Sequence, residues 1–208
     1  MTEENKVAQT IMLPEGRMIN HSLFVKDAFD DRSTPSYKIE IAFPRGALDG
    51  IHNKMLDFAS DKWGADAEDK VILPIKDGDV MAAKREKVGK PGDAYADMDV
   101  LRASTQFNRH GENDAGGVSV YGEDGETAIG IANQSEIYRG CMVIAAVTFW
   151  GYIDSKTDSP AITLYLKAVQ KSGDGERLVA QADNSKLFKP VGRKPAAEDG
   201  AARSRRAG

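Results

Sequence analysis

The sequence has 208 residues, of which 41% are hydrophobic and 29% are charged, a composition typical of a soluble globular protein with one domain. A single cysteine, Cys141, excludes an intramolecular disulfide and a cysteine-rich zinc site. Residues 1–10 lack the apolar core of a signal peptide, and the apolar run Cys141–Ile153 is too short to span a bilayer. We therefore expect a protein of the reducing cytoplasm.

The net charge of −4 is unevenly distributed along the chain. Residues 189–208 contain six basic and two acidic residues and carry +4, so residues 1–188 carry −8. The C-terminal segment is rich in Ala, Gly, Arg and Pro without an apolar period, which predicts a basic disordered tail after a domain of residues 1–188. The acidity of that domain does not exclude a nucleic-acid partner, because a phosphate responds mainly to charges within about 10 Å at moderate salt.

Hydrophobic periodicity predicts two strands and a helix in the first third of the chain. Met18–Val25 is typical of a strand and follows a polar lead-in over residues 1–14. Tyr37–Phe43 places its four large apolar side chains on one side, as a strand with one buried face should. Apolar residues at three- and four-residue steps predict a helix over Ala47–Trp63, with Gly64 as its C-terminal cap, which packs on the sheet as a plug.

The rest of the chain is predicted to be β structure joined by loops. Val71–Ile75 predicts a short strand before an Asp77-Gly78 turn, and Met81–Gly92 a basic loop without periodicity. Alternation resumes over Val100–Phe107. The strongest strand signals, from β-branched and aromatic residues, are those of Cys141–Ile153 and Ala161–Gln170. One helix among about seven strands predicts a β-barrel or sandwich with a helical plug.

No enzyme signature is found in the sequence. His110-Gly-Glu112 matches the first half of a zinc-deaminase signature, but the Pro-Cys-x-x-Cys that supplies the other ligands does not follow. The histidines do not pair with Ser and Asp in a hydrolase pattern, and no glycine loop leads into a helix as a phosphate cradle does. We therefore expect a protein that is not an enzyme and uses neither a metal nor a cofactor.

Aromatic and basic residues are interleaved on the strongest strands. Trp150 and Tyr152 share a face two residues apart, Tyr165 and Lys167 do so on the next strand, and Arg102 lies on the more polar face of its strand. A small barrel can bind single-stranded nucleic acid in this way, with bases stacked on exposed rings and phosphates on Lys and Arg. Aromatic residues on strands are more often part of the core, so the pattern alone leaves both interpretations open.

Five stretches of the sequence, taken in order, carry a family resemblance. They are Gly16–Phe24, Tyr37–Pro44, Leu73–Asp79, Leu101–Thr105 and Tyr138–Phe149. Together they resemble phage-encoded single-stranded-DNA-binding proteins with an OB-type fold, and they extend over most of the chain. The resemblance implies a mainly β, OB-like barrel with one plugging helix. It also implies a non-catalytic protein that coats single-stranded DNA in the host cytoplasm during phage replication, recombination or repair.

A site for single-stranded DNA follows from the resemblance and from strand alternation. A sequence-tolerant binder needs stacking surfaces and cations for the phosphates, and no catalytic group. The candidate residues are Tyr37, Lys38, Lys84, Arg85, Lys87, Lys90, Arg102, Trp150, Tyr152, Tyr165 and Lys167. The four basic residues between Lys84 and Lys90 fit a solvated loop equally well.

The expected partners are single-stranded DNA and replication or recombination proteins, with no membrane; a homodimer is left open. Two alternatives to DNA binding stay open as well. A β-sandwich component of a virion would use the same strands and bury Trp150 and Tyr152. A small hydrolase would assemble its site from residues distant in sequence.

Overall fold

Eight strands and two α-helices lie within the residues that the computed structural model describes, which are 10–28, 34–106 and 118–178. The strands are β1 (Thr10–Met12), β2 (Gly16–Asp27), β3 (Ser36–Pro44), β4 (Ile75–Asp77), β5 (Met98–Thr105), β6 (Ser119–Tyr121), β7 (Met142–Asp154) and β8 (Ser159–Gly173). The helices are α1 (Asp49–Trp63) and α2 (Gly78–Glu86). Neither of these helices is long and apolar enough to cross a membrane. The predicted tail, residues 189–208, and the predicted domain end at residue 188 lie outside the described residues.

The strand pairings form a ring. β2 pairs antiparallel with β3, and β3 pairs antiparallel with β5. β5 meets β8 in parallel at Ser104 and Tyr165, β8 pairs antiparallel with β7, and β7 returns to β2 at Gly16 and Arg17. β1, β4 and β6 pair with β7, β5 and β8 respectively. This arrangement confirms the mainly β, OB-like fold predicted from the sequence.

The side chains on the inner face of the ring form the main hydrophobic core. In β3, Ile39, Ile41 and Phe43 are fully buried, whereas Lys38 and Glu40 alternate with them on the other face. α1 packs against β7 and β8, and its Phe58 ring meets Phe149 edge-on with the ring centroids 5.9 Å apart. The buried residues of α1 are Ile51, Met55 and Ala59. The plugging helix and the five long strands are thus confirmed within three residues of their predicted ends.

The segment after β4 differs from its prediction as a turn and a basic loop. α2 occupies Gly78–Glu86, so the expectation that Met81–Gly92 lacks regular structure is wrong for its first half. Asp77 is the N-cap, because its Oδ1 accepts hydrogen bonds from the backbone N–H groups of Asp79 and Val80 at 2.8 and 3.2 Å. The helix is held by a second, small cluster on the outer face of the sheet, formed by Ile19, Ala42, Ala82, Tyr95 and Val100.

Two short strands also differ from their predictions. Residues Thr10–Met12, within the predicted polar lead-in, form β1 because they pair with β7 at Ala146–Thr148. The strand predicted over Val71–Ile75 begins only at Ile75, and Ile72 instead makes an isolated parallel bridge with Ala161 of β8. Both differences arise from pairing with strands far away in the sequence.

Arg45, in the turn after β3, connects that turn to α2. Its guanidinium forms ion pairs with Asp77, Asp79 and Asp97. The backbone N–H of Val80 and the Arg45 guanidinium hold the pKa of the Asp77 carboxyl below its usual value. The backbone N–H of Asp97, and then Arg45, lower the pKa of Asp79 in the same way. This exposed cluster therefore stays ionised and keeps α2 aligned with the end of β3.

His21 is partly buried in β2. Its ring lies edge-on to Phe24 with the centroids 6.5 Å apart, and its buried Nδ1 has no hydrogen-bond partner among the described residues. Burial, and then the positive charge of Arg139, lower the pKa of His21 below its ordinary value. The fold therefore accommodates the neutral imidazole.

We expect His21 to reduce stability at mildly acidic pH. Because the folded-state pKa of His21 is lowered, the unfolded chain binds the proton more readily than the folded protein does. The contribution of His21 to the free energy of unfolding is therefore complete above about pH 6.5, and it is lost as the pH falls through the folded-state pKa. Urea unfolding between about pH 7.5 and about pH 5 should show a shallower loss for His21→Gln than for the unchanged protein. His52→Gln, on α1, is the matched control, and identical pH slopes for His21→Gln and wild type would contradict this expectation.

Candidate nucleic-acid interface

Three aromatic residues of β7 and β8, namely Trp150, Tyr152 and Tyr165, point away from the core. Since Phe149 and Gly151 face inward, Trp150 and Tyr152 face outward, with 52% and 44% of their surface exposed. Tyr165 of β8 is partly exposed, and its ring centroid lies 5.7 Å from that of Trp150, with the two rings tilted by 59°. The exposure of both β7 rings does not fit the alternative in which they are buried inside a sandwich.

We call Trp150 and Tyr165 the aromatic pair. Polar side chains extend from this pair across the outer face of the sheet. Strand register places Ser22 of β2 opposite Lys38 of β3, Lys38 opposite Ser104 of β5, and Ser104 beside Tyr165. We call Ser22, Lys38 and Ser104 the polar row. The neighbouring positions, in the same register, are Asn20, Glu40 and Arg102. The outer face therefore joins a stacking surface to hydroxyl and cationic groups, with the Glu40 carboxylate opposite Arg102.

Lys38 is placed in the row but is already paired. Its Nζ lies 2.5 Å from Oδ2 of Asp27, and its side chain is 12% exposed. The hydrogen bond and the charge of Lys38 lower the pKa of Asp27. A phosphate that approaches Lys38 must therefore compete with this carboxylate.

Tyr37 lies on the opposite face from the predicted site. It is 5% exposed and belongs to the main core, because it continues the inward series of Ile39 and Ile41. The prediction that Tyr37 is a stacking surface is therefore wrong. The same alternation that predicts β3 places the Tyr37 side chain in the core.

The basic residues of the predicted loop lie on α2 or just after it. Lys84 and Arg85 are in the last turn of α2, Lys87 is its C-cap, and Lys90 comes just after the following turn. Arg85 is engaged within the fold, since its Nε donates a 2.9 Å hydrogen bond to the carbonyl of Pro91 and its guanidinium lies 5.0 Å from the ring centroid of Tyr95. The three lysines are exposed, but no contact among the described residues joins these four basic side chains to the aromatic pair.

Arg102 and Lys167 keep their predicted places outside the core. Arg102 lies in β5 opposite Glu40 and alternates with the buried Leu101 and Ala103. Lys167 is exposed and forms a bulge in β8, because its neighbours Leu166 and Ala168 pair with consecutive residues of β7.

Lys62, at the end of α1, is not among the site residues predicted from the sequence. Its Nζ lies 5.9 Å from the ring centroid of Trp150 and 5.6 Å from that of Trp63. The available signal was that Lys62 follows Phe58 by four residues, which places it on the helix face that packs on the sheet.

The described part of the chain contains no group of three or more His, Cys, Asp or Glu side chains that could hold a metal ion. Cys141 is buried, and this burial raises the pKa of its thiol. The thiol therefore resembles a core residue more than a nucleophile.

The model of one protein family, described as the ssDNA-binding protein of Enterobacter phage Enc34, matches residues 10–200. The chain belongs to this family. A search of curated protein sequences gave no match.

Solved structures show that the Enc34-family fold covers most of this chain. The single-stranded DNA-binding protein from bacteriophage Enc34 in complex with ssDNA is 23% identical, with a TM-score of 0.61 over 84% of this chain and 91% of that one. Its C-terminal truncation gives 22% identity and a TM-score of 0.60 over 83% and 89% of the two chains. gp2.5, a single-stranded DNA binding protein encoded by bacteriophage T7, is 10% identical, with a TM-score of 0.58 over 89% of this chain and 98% of that one. At these identities the likeness shows a shared fold.

We expect Trp150 and Tyr37 of this Enc34-family protein to differ in their effects on folding. Trp150→Ala removes a half-exposed ring and should lower the free energy of unfolding by about 1 kcal/mol or less. Tyr37→Ala leaves a cavity in the core and should cost about 3–5 kcal/mol. Urea unfolding of both variants measures the difference. Equal losses would contradict the placement of these rings on opposite faces.

Proposed function

We propose that this protein binds single-stranded DNA with little sequence preference and has no catalytic role. The observation that carries the proposal is the exposed contact between Trp150 and Tyr165 beside the polar row. Membership of the Enc34 ssDNA-binding family supports it, as does the fold shared with a structure described as a complex with ssDNA. Its setting would be phage replication or recombination in the host cytoplasm.

The proposed binding surface uses aromatic faces for the bases. Trp150 and Tyr152 have about half of their surface exposed, and an exposed ring accepts any base because every base has a π-face. Tyr165 supports Trp150 from the neighbouring strand, at 5.7 Å between centroids. Such stacking gives affinity without reading sequence.

The proposed path for the phosphates follows the polar row across the strands. Lys38, Arg102 and Lys167 provide cations, and Ser104 provides a hydroxyl donor beside Lys38, whereas the Ser22 hydroxyl donates to the carbonyl of Ser36 at 3.4 Å. The path leaves out Tyr37, which is buried, and Arg85, which is held against Tyr95. Lys84, Lys87 and Lys90 stay candidates for contacts outside this path.

We expect oligo-dT to bind much more tightly than a duplex of equal length at the same salt concentration. Bases in a duplex must unstack before they reach Trp150 and Tyr165, so duplex formation competes with binding. Fluorescence anisotropy of labelled oligonucleotides measures both affinities. Equal affinities would contradict the proposal.

Trp150→Ala is the variant that connects this affinity to the proposed surface. It should weaken oligo-dT binding by about 1–3 kcal/mol, the usual contribution of a base stacked on an aromatic residue. Val80→Ala, which truncates an exposed apolar residue on α2, is the control and should leave the affinity unchanged. A Trp150→Ala variant with full affinity would exclude this stacking surface.

We expect Asp27→Asn to strengthen binding. The change removes the carboxylate that holds Lys38 at 2.5 Å, so the ammonium becomes available to a phosphate. One additional phosphate contact should steepen the plot of log affinity against log salt concentration by about 0.7 for single strands. Affinity titrations at several salt concentrations measure this slope.

Asp57→Asn is the matched control for the loss of one negative charge. Asp57 is exposed on α1, and its change alters the net charge equally. A salt slope that changes equally in the two variants would show a general charge effect and exclude Lys38 from the path.

A further inference from the structure

We infer that Lys62, at the end of α1, binds the phosphate of the nucleotide that stacks on Trp150. This inference rests on the proposed function and adds a helix residue to a surface otherwise made of strands. Lys62 is brought to Trp150 by the way in which α1 ends against β7.

The end of α1 lies in direct contact with the backbone of β7 at Gly151. A Cβ atom added to Gly151 would lie 2.6 Å from Cη2 of Trp63 and 2.9 Å from Cδ of Lys62. These distances are shorter than normal contacts, so the side chains of both residues occupy the space that any larger residue would need. Gly151 thus allows α1 to reach across β7 toward its outer face.

The Lys62 side chain uses this space to pass from the core side to the aromatic pair. Its Cδ lies over Gly151, and its Nζ is 5.6 Å from the Trp63 ring centroid and 5.9 Å from the Trp150 ring centroid. The aliphatic stem is therefore packed while the ammonium stands beside the ring proposed to receive a base. Trp150 has Tyr165 as its other ring neighbour, 5.7 Å away.

A cation in this position would interact more strongly with the phosphate of a nucleotide than with the ring alone. The attraction between an exposed lysine and an indole is weak, whereas an ammonium forms a charge-assisted hydrogen bond with a phosphate oxygen. When a base stacks on Trp150, its own phosphate would come within reach of the ammonium. The Lys62 ammonium can then leave the ring and bind the phosphate while its aliphatic stem stays at Gly151.

The test is the salt dependence of oligo-dT binding by the full chain, measured by anisotropy of a fluorescein-labelled oligonucleotide. Lys62→Gln keeps most of the stem and removes the charge, so the slope of log affinity against log salt should become shallower by about 0.7. Lys62→Arg keeps the charge and should preserve the slope. Lys54→Gln removes an exposed lysine of α1, eight positions earlier, and controls for net charge.

A double-mutant cycle with Trp150→Ala tests whether the two residues serve one nucleotide. If they do, the loss of affinity caused by Lys62→Gln should be smaller in the Trp150→Ala background than in the unchanged protein. Additive losses, or a Lys62→Gln slope equal to that of wild type, would overturn the inference and leave the proposed function intact. A wild-type protein that fails to bind oligo-dT would overturn both.

Discussion

The alternation of side chains along β7 is the constraint on which the rest of the structure depends. This strand pairs with β1, β2 and β8, so its inner face contributes to the core while its outer face is fixed relative to three neighbours. Because Val147 and Phe149 must be buried, Trp150 must face outward. A shift of one residue would exchange these faces, lose the core and remove the aromatic pair together. Fold stability and the proposed binding surface therefore depend on the same register.

The features that could be predicted from the sequence are those that depend on local periodicity. The five long strands and α1 follow from alternation and from three- and four-residue steps, since one face of each is buried. Alternation also placed Trp150, Tyr165 and Arg102 outside the core. Tyr37 shows the limit of residue type as a guide: an aromatic residue beside a lysine fits a DNA surface, but its position in β3 assigns it to the core.

The features that escaped prediction are made by contacts between distant segments. α2 is a nine-residue helix whose apolar cluster includes Ile19 and Tyr95, so its own sequence shows little of its packing. The ion pair of Lys38 joins the ends of β2 and β3. Lys62 meets Trp150 nearly ninety positions away, through a space that a single glycine provides. In each case the residue types were visible in the sequence and their neighbours were not.

Long-range contacts also determine where charges lie around the proposed binding surface of this acidic chain. Several carboxylates are engaged by cations elsewhere in the fold: Asp77, Asp79 and Asp97 by Arg45, and Asp174 and Glu123 by Lys171. Both clusters keep a net negative charge, since Arg45 faces these three carboxylates and Lys171 faces two, but salt screens exposed charges beyond about 10 Å. The Lys62 ammonium, by contrast, lies 5.9 Å from the ring centroid of Trp150 and 5.6 Å from that of Trp63. The net charge of −4 describes the chain as a whole, whereas a group bound at the aromatic pair would respond mainly to the charges nearest to it.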